Sequence, residues 1–486
     1  MIFRIFTCMR KLLLAISFIL LAIAAQAQVK LSGRGDNEKA TFPVTRSFEC
    51  DVLVVGGGPA GLSAAVCAAR HGASTILAER NGYLGGMATS GLVGPFMTAT
   101  SPDGSTQLIR GFFDELVRRM EQCGGAIHPM KAEIGSFSSY RDGGHRGMTT
   151  FDPECLKKTA EEMCSEAGVN LMYHMLFVGT EMNGGSIAAA FFATKDGIWK
   201  VTARNYVDCT GDGDVAFSAG VPTIYGDGEG DVQASSLFFR IGGVDKAAMD
   251  AYNADCLERN DSRGRFYMDQ IVEAREAGEF PIWRNKVEVY EGLDGTWIVN
   301  MGQNDGVDGC DPLQVTDAEI IGREQAQYIV NFLRKYVKGC ENCFLARSAD
   351  NLGVRESRRI VGEYTVTVDD VRNSVKYPDP VFCCANHIDI HRKGYVEYVT
   401  RKTEDPYYIP YRALLPKGVD NLLVAGRCAS TERPVMAAIR VMPPCFAMGQ
   451  AAGTAAALSI KAGVSPKKLS PAELVSVLVE DGVYLP

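Results

Sequence analysis

The sequence predicts an α/β fold with a parallel sheet, and three observations carry that prediction. Residues 51–55 read DVLVV, a short buried strand. An Ala-rich helical stretch from Leu62 to Arg70 and a second strand at Thr75 to Ala78 complete a unit of about 30 residues, the size of a right-handed crossover. Further on, LFVGTEM, SIAAAFFAT and WKVTARNYVDC are separated by Asn183-Gly184-Gly185 and Lys195-Asp196-Gly197, so they read as a three-stranded antiparallel meander. Near the other end, NLLVAG at 421–426 is a buried strand and Pro443 to Leu458 an Ala/Gly-rich helix that closes the same domain.

Composition agrees with a globular chain. Its 486 residues are 46% apolar and 22% charged, with a mean hydropathy of -0.02, which excludes disorder, collagen and long coiled coil. Lys+Arg 50 against Asp+Glu 58 leaves a net charge of -8, so the basic footprint of a nucleic-acid binder is missing and no nucleic-acid partner is expected. The length suggests two or three domains. The 51 glycines, about a tenth of the chain against a usual ~7%, pose the question of where backbone alone must be exposed.

Taken in order, Arg10 and Lys11, the apolar run Leu12 to Ala25 and then Ala25-Gln26-Ala27 form the charged, apolar, small-x-small order of a secretory signal. Cleavage after Ala27 and a periplasmic or secreted location are expected. The apolar run is shorter than the ~20 residues of a spanning helix, so stable membrane insertion is not expected. Residues 28–47 read as a linker and 48–220 as the first part of a nucleotide domain. Within it, Asp152 caps and Pro153 starts a helix that runs to Ala167 before Gly168. Residues 221–405 read as a large inserted α+β substrate domain, with a capping-box spacing at Thr316 to Glu319 that opens one long helix to Lys338. Residues 406–465 close the nucleotide domain, and 466–486 form a C-terminal tail. Of fifteen Cys, Cys8 falls in the leader; the others form no small disulfide framework, and several sit in apolar contexts such as AAVCAA.

The chemistry begins at Gly56-Gly57-Gly58-Pro59-Ala60-Gly61, a GxGxxG between a predicted strand and a predicted helix. Glu79 ends the next strand 18 residues after Gly61. Gly56 permits the tight turn, Gly58 lets backbone approach a pyrophosphate, and Gly61 allows close helix–strand packing. The helix N-terminus faces the phosphate charge, and Glu79 accepts the ribose hydroxyls, which argues against a 2'-phosphate. After Glu79 and Arg80, Gly85 and Gly86 supply side-chain-free backbone near a pyrophosphate or an isoalloxazine. The helix carrying MGQAAGTAAAL, with Gly449 and Gln450, offers a positive dipole end to a reduced flavin.

These segments resemble the FAD-dependent oxidoreductases with a glutathione-reductase-like FAD domain, so a Rossmann-like FAD-binding domain is expected. LGVRESRRIVGEY at 352–364, YYIPYRALLPKGVDNLLVAGRCAS at 407–430 and AAIRVMPPCFAMGQAAGTAAAL at 437–458 look like the flavin portion of heterodisulfide reductase. The resemblance implies non-covalent FAD held by Gly56, Gly58, Gly61, Glu79, Gly85 and Gly86, with Gly426, Gly449 and Gln450 nearby. Many relatives have Asp where Arg427 stands, which puts the usual ribityl contact in doubt. The kinship also raises a [4Fe-4S] cluster, yet the close run of four Cys that such a cluster uses is absent.

Cys383, Cys384, His387 and His391 resemble a metal set, but HIDIH alternates like a strand and no metal is assigned. His387 and His391 are instead candidate acids or bases for a dehydrogenase, since His titrates near neutral pH. Arg355 and Arg440, with Arg358 and Arg359, are candidates for recognising an anion. Trp283 and Trp297 are candidates for stacking a sugar. Only one dinucleotide fingerprint occurs, so a small-molecule substrate and a separate electron acceptor or donor are expected. The expected function is an exported FAD-dependent oxidoreductase acting on an unidentified small organic substrate. A non-catalytic FAD-binding or nucleotide-binding protein and an iron–sulfur electron-transfer module stay open as alternatives.

Overall fold

The structure, a computed structural model, describes residues 42–132 and 147–486. The leader expected at 1–27 and the expected linker as far as residue 41 lie outside the described residues. The main sheet uses β1 (Val44–Val55), β2 (Thr75–Ala78), β3 (Asn170–Met172), β4 (Leu176–Asn183), β5 (Ser186–Thr194) and β6 (Gly197–Asp208), in the order β3-β2-β1-β6-β5-β4.

β6 does two jobs along its 12 residues. Its first half pairs antiparallel with β5, from Thr194 against Gly197 to Ala190 against Val201, which is the expected meander. Its second half pairs parallel with β17 (Leu422–Val424), from Leu422 against Tyr206 to Val424 against Asp208. β1 runs parallel to β6 from Val44 onward, so Val44 to Ser47 belong to a sheet strand rather than to a linker. β1, β2, β6 and β17 end together, and their carboxyl ends form the rim on which a parallel sheet presents ligands.

Helix α1 (Pro59–Arg70) starts three residues before Leu62, because Pro59 at its first turn fits the helix and costs no backbone donor. α2 is Phe112–Gln122 and α3 is Pro153–Ala167, capped by Asp152 and ended by Gly168 in the left-handed region as expected. A second sheet holds β8 (Phe239–Gly242), β9 (Val289–Glu291), β10 (Trp297–Val299) and β11 (Phe344–Ser348), in the order β11-β8-β10-β9. Helix α4 (Pro312–Tyr336) lies on it, with Ile329 and Leu333 in a separate hydrophobic core beside Phe239 and Trp297. The long helix is present as expected, but its start differs. Asp311 is the N-cap and Thr316 lies inside the helix, its hydroxyl donating to the Pro312 carbonyl at 2.7 Å.

Short ladders complete the frame: β7 (Thr223–Tyr225) with β12 (Arg358–Ile360), β13 (Pro380–Cys384) with β16 (Tyr407–Pro410), and β14 (Ile388–Arg392) with β15 (Tyr395–Val399). HIDIH therefore ends in a strand, as its alternation requires. The last long helix, α5 (Met442–Lys461), packs along α1. Its glycines explain the contact: a Cβ on Gly449 would sit 2.0 Å from the Ala60 carbonyl oxygen, and one on Gly453 2.0 Å from that of Ala64. Val44–Pro486 forms one compact unit, and among the described residues no helix is long and apolar enough to cross a membrane.

Candidate functional site

A cleft of about 310 Å³ opens along the carboxyl ends of β1, β2, β6 and β17. Gly56, Gly58, Pro59 and Ala60 line it where β1 turns into α1, and Glu79 and Arg80 line it after β2. Gly86 and Gly426 expose backbone from two further loops. Glu79 is buried and orients itself on backbone: Gly57 N–H donates to Oε2 at 2.6 Å and Asn81 N–H to Oε1 at 2.7 Å.

The glycines differ in what demands them. A Cβ on Gly61 would lie 1.7 Å from the Gly56 carbonyl oxygen, and Gly56 itself has φ +97 with Cys209 backbone 2.5 Å from a built Cβ. Both are required by the chain's own packing. Gly58 is not: its φ of -70 suits any residue, and the one protein atom near a built Cβ is Gly86 Cα at 3.9 Å. A side chain there would project into the cleft beside the first turn of α1, which has no side-chain cap. Space for a ligand's phosphates against a helix N-terminus is what that position preserves.

The family described as FAD dependent oxidoreductase matches residues 51–478. The chain belongs to this FAD-dependent oxidoreductase family. A protein named 4-oxocyclohex-2-ene-1-carboxylate 5-dehydrogenase, from Sinomonas cyclohexanicum, is 50% identical over 46 residues, which cover 10% of this chain and 8% of that one. Among solved structures, a geranylgeranyl bacteriochlorophyll reductase-like protein of Thermoplasma acidophilum aligns at a TM-score of 0.44 and 14% identity, covering 89% of this chain and 84% of that one. A p-nitrophenol 4-monooxygenase of Pseudomonas putida aligns at 0.46 and 11%, covering 90% and 86%.

The residues lining the cleft of this FAD-dependent oxidoreductase suit the chemistry of its family's cofactor. Gly58 and the α1 N-terminus would hold the pyrophosphate, Glu79 would accept from ribose hydroxyls, and the backbone at Gly86 and Gly426 would face the rest of the cofactor. Gly85 lies behind this wall, its N–H donating to the Gly57 carbonyl at 2.9 Å, so it braces the loop that carries Gly86. Arg427 occupies the place of the customary Asp, and the acidic partner comes from elsewhere: its Nη2 donates to Asp212 Oδ1 at 2.9 Å, on the loop beyond β6. Asp212 and Asp214 both line the cleft and escape the sequence reading as site residues, although Thr210-Gly211-Asp212 marks the strand end. Gly449 and Gln450 lie deeper. Gly449 packs on Ala60, and Gln450 Oε1 accepts the Phe112 N–H at 2.9 Å; Met442 and Cys445, in the first turn of α5, reach the cleft instead.

A second, inner cavity of about 120 Å³ adjoins the cleft. Met87, Val354, Arg427, Arg440 and Met442 line both. The inner cavity adds an apolar wall that includes Pro95, Met97 and Phe238, and a polar one with Asn300, Arg355, Asp389 and His391. Asp389 and His391 share a face of β14, two residues apart, and His391 Nε2 lies 3.2 Å from Asp389 Oδ2. Burial raises the Asp389 carboxyl, but the His391 hydrogen bond and the Arg440 charge outweigh it and hold it below its ordinary value. Burial, then the charge of Arg355, pushes His391 down to about 3 against the opposing pull of Asp389. At neutral pH the pair is a carboxylate and a neutral imidazole. Asp389 escapes the sequence reading, though it stands between the two His that the reading singles out.

The remaining candidates are placed elsewhere. His387 is not among the residues lining either cavity; its ring lies 5.8 Å from that of Tyr398. Arg358 pairs with Asp214 at 3.2 Å, and Arg359 with the buried Glu356 at 2.9 Å, in a network that Arg433 extends to Asp231. Trp297 is buried in the second core and Trp283 is exposed, neither in the cavities. Cys383 and Cys384 are buried on β13. Among the described residues no group of three or more His, Cys, Asp or Glu is placed to hold a metal ion.

Proposed function

We propose that the protein is a flavin-dependent dehydrogenase or reductase whose small organic substrate occupies the inner cavity. The observation that carries this reading is the shared wall: a glycine-lined cleft and a cavity holding a His–Asp pair have Met87, Arg427 and Arg440 in common. FAD bound in the cleft supplies the two-electron acceptor or donor for a hydride, and the matching proton is left to the protein. Ionised Asp389 accepts the Nε2–H of His391, which fixes the tautomer and leaves Nδ1 as the base. In oxidation of a substrate Nδ1 takes the proton that departs as hydride leaves carbon and passes it to solvent; in reduction a solvent proton is relayed through the same nitrogen.

The backbone holds the base in place. His391 N–H donates to Gln233 Oε1 at 3.1 Å, and Gln233 N–H donates to Glu356 Oε2 at 2.9 Å. The apolar wall limits water around the reacting carbon. With one dinucleotide fingerprint in the chain, a separate acceptor or donor is proposed to exchange electrons with the reduced or oxidised protein. The local match to a protein named as a dehydrogenase supports the direction of this reading. The motifs at 352–364, 407–430 and 437–458 support a proposed kinship with the flavin portion of heterodisulfide reductase.

The test is anaerobic titration of purified, FAD-loaded protein with sugars, hydroxy acids, amines and thiols. Bleaching of the oxidised flavin band by one class supports an enzyme; a yellow protein that no donor reduces and no dithionite-reduced form reoxidises with any organic acceptor overturns it in favour of a non-catalytic binder. Export is proposed on the leader read at residues 10–27. N-terminal sequencing of the natural protein is expected to begin near Gln28, and an intact leader on the cytoplasmic protein overturns it.

A further inference from the structure

We propose that Cys123 and Cys155 form a disulfide that staples the end of α2 to the first turn of α3. The inference stands apart from the flavin-dependent reading above and assigns a modification site to two residues that line neither cavity.

The fold brings the two sulfurs together from well-separated stretches of the chain. Cys123 caps the end of α2 and Cys155 stands in the first turn of α3. Cys123 Sγ lies 3.2 Å from the Arg119 carbonyl oxygen and Cys155 Sγ 3.9 Å from that of Met120, so the sulfurs rest on successive carbonyls of the last turn of α2. The two side chains are also in hydrogen-bond contact with each other. The connection after α2 makes room for this contact. A Cβ on Gly125 would sit 2.2 Å from Cys155 Sγ, so the sulfur fills the space that this glycine leaves. The turn is pinned on both sides: Gly125 N–H donates to the Met120 carbonyl at 2.7 Å, and its own carbonyl accepts from the N–H of Asp152, the N-cap of α3, at 2.9 Å. Elsewhere along the two helices Arg119 Nη1 donates to Glu166 Oε2 at 2.7 Å. Two thiols held in contact by backbone fixed to both helices are arranged for a disulfide.

Access separates this pair from the others. Cys123 is exposed and Cys155 half-buried. Cys340 and Cys343 also hydrogen-bond to each other, but both are fully buried. Cys383 and Cys384 are neighbours on β13, where successive side chains point to opposite faces. Burial pushes the Cys155 thiol above its ordinary value, with the Thr159 hydroxyl opposing and Cys123 adding to the rise. Cys123 is therefore the thiol that meets an oxidant first. The oxidant is a disulfide, of glutathione or of an exchange protein. The Cys123 thiolate attacks it and displaces one thiolate; the Cys155 thiolate then attacks Cys123 Sγ of the mixed disulfide and displaces the second. The two protein thiols lose two protons and two electrons, and the incoming disulfide becomes two thiols. The staple lies behind the inner cavity. Phe151, just before the α3 cap, stacks on Phe96 with ring centroids 3.9 Å apart, and Pro95 and Met97 on either side of Phe96 line the apolar wall. The bond closes the chain that carries Phe151 into a loop, which restricts the unfolded state.

The experiment uses full-length protein loaded with FAD, prepared reduced and then equilibrated with oxidised glutathione. Remaining thiols are blocked, the chain is digested without reduction, and the peptides are identified by mass spectrometry. The peptide with Cys123 is expected to be linked to the peptide with Cys155 and to separate from it on treatment with dithiothreitol. The oxidised protein is expected to melt on the order of 2 °C above the reduced one, a gain absent from Cys123→Ser and from Cys155→Ser. The peptide mapping needs no variant, so it decides the matter even where a serine variant fails to fold. Glutathione held on Cys123 beside a Cys155 thiol, a link from either residue to a different cysteine, or recovery of both as thiols overturns the disulfide. A Cys123–Cys155 link that leaves the melting temperature unchanged overturns its role as a staple.

Discussion

The cofactor cleft and the inner cavity share a wall yet are built in opposite ways. The end of the cleft at β1 and α1 is made largely of backbone: Gly56 to Gly61 in one turn, with Gly86 and Gly426 from two loops and Glu79 beside them. The inner cavity is made of side chains that arrive from six distant stretches, at Met87, Phe238, Asn300, Arg355, His391 and Arg440. A backbone cradle is written in short spacing, because each glycine answers a local steric demand. A side-chain cavity is written only in the fold, which brings β14, the loop before β12 and the start of α5 to one place.

The sharpest way to break this contrast compares two glycines three residues apart. Gly61→Ala puts a Cβ 1.7 Å from the Gly56 carbonyl oxygen, so the turn and α1 cannot both keep their places. Destabilisation on the order of 4 kcal/mol or more is expected, read as a collapse of soluble yield or of the denaturant midpoint. At position 58 a Cβ meets no protein atom closer than Gly86 Cα at 3.9 Å, so Gly58→Val points its side chain at the cleft. It is expected to fold with a near-unchanged midpoint but to lose FAD affinity at least a hundredfold, read by flavin absorbance after reconstitution. A Gly58→Val protein that stays yellow would mean that the pyrophosphate does not lie where the glycine leaves room.

That difference also explains which parts are legible in the sequence. The strand–turn–helix at 51–70, the meander and the cap at Asp152 are readable because each is a local pattern with one physical cause. Thr316 fails as a cap because Asp311-Pro312, five residues earlier, is the stronger start: the Asp side chain accepts from Leu313 N–H and Pro needs no partner. Val44 to Ser47 read as linker because exposed edge residues of a sheet carry no apolar signal; only pairing with Ile198 to Lys200 reveals them. Gly449 looks like a cofactor glycine from composition, whereas its packing on Ala60 shows a glycine spent on helix contact. His387 and His391 are indistinguishable in HIDIH, and the cavity beside β14 separates them.

Within the inner cavity the largest effect is expected at His391. His391→Gln keeps a polar side chain of similar size but cannot carry the proton, so flavin reduction by a bound donor is expected to slow on the order of a hundredfold. FAD content should change little, since His391 lines only the inner cavity. Asp389→Asn is expected to cost about tenfold, because an amide facing Nε2 can stabilise the wrong tautomer. His387→Gln, placed away from both cavities, should leave the rate within twofold; an equal loss at His387 and His391 would break the assignment of the base.

The smallest effect tests the charges around that base. Asp389 on the same strand, Arg355 before β12 and Arg440 before α5 face His391, and burial with the Arg355 charge holds its pKa at about 3, against an ordinary 6.5. In the free protein the base therefore stays neutral on acidification, and kcat/KM is expected to show no inflection near 6.5. Stability moves the other way from the usual carboxylate case in origin, though not in sign. Between 6.5 and 3 the unfolded chain binds a proton that the folded His391 refuses, so stability falls as pH falls through that window. At pH 5 the loss from this one group is about 2 kcal/mol relative to pH 7 and above. His391→Gln should flatten the fall in melting temperature between pH 7 and pH 5. An inflection of kcat/KM at pH 6 to 7 that vanishes in His391→Gln would instead place the imidazole in a far more open and less positive setting than the one the two arginines create.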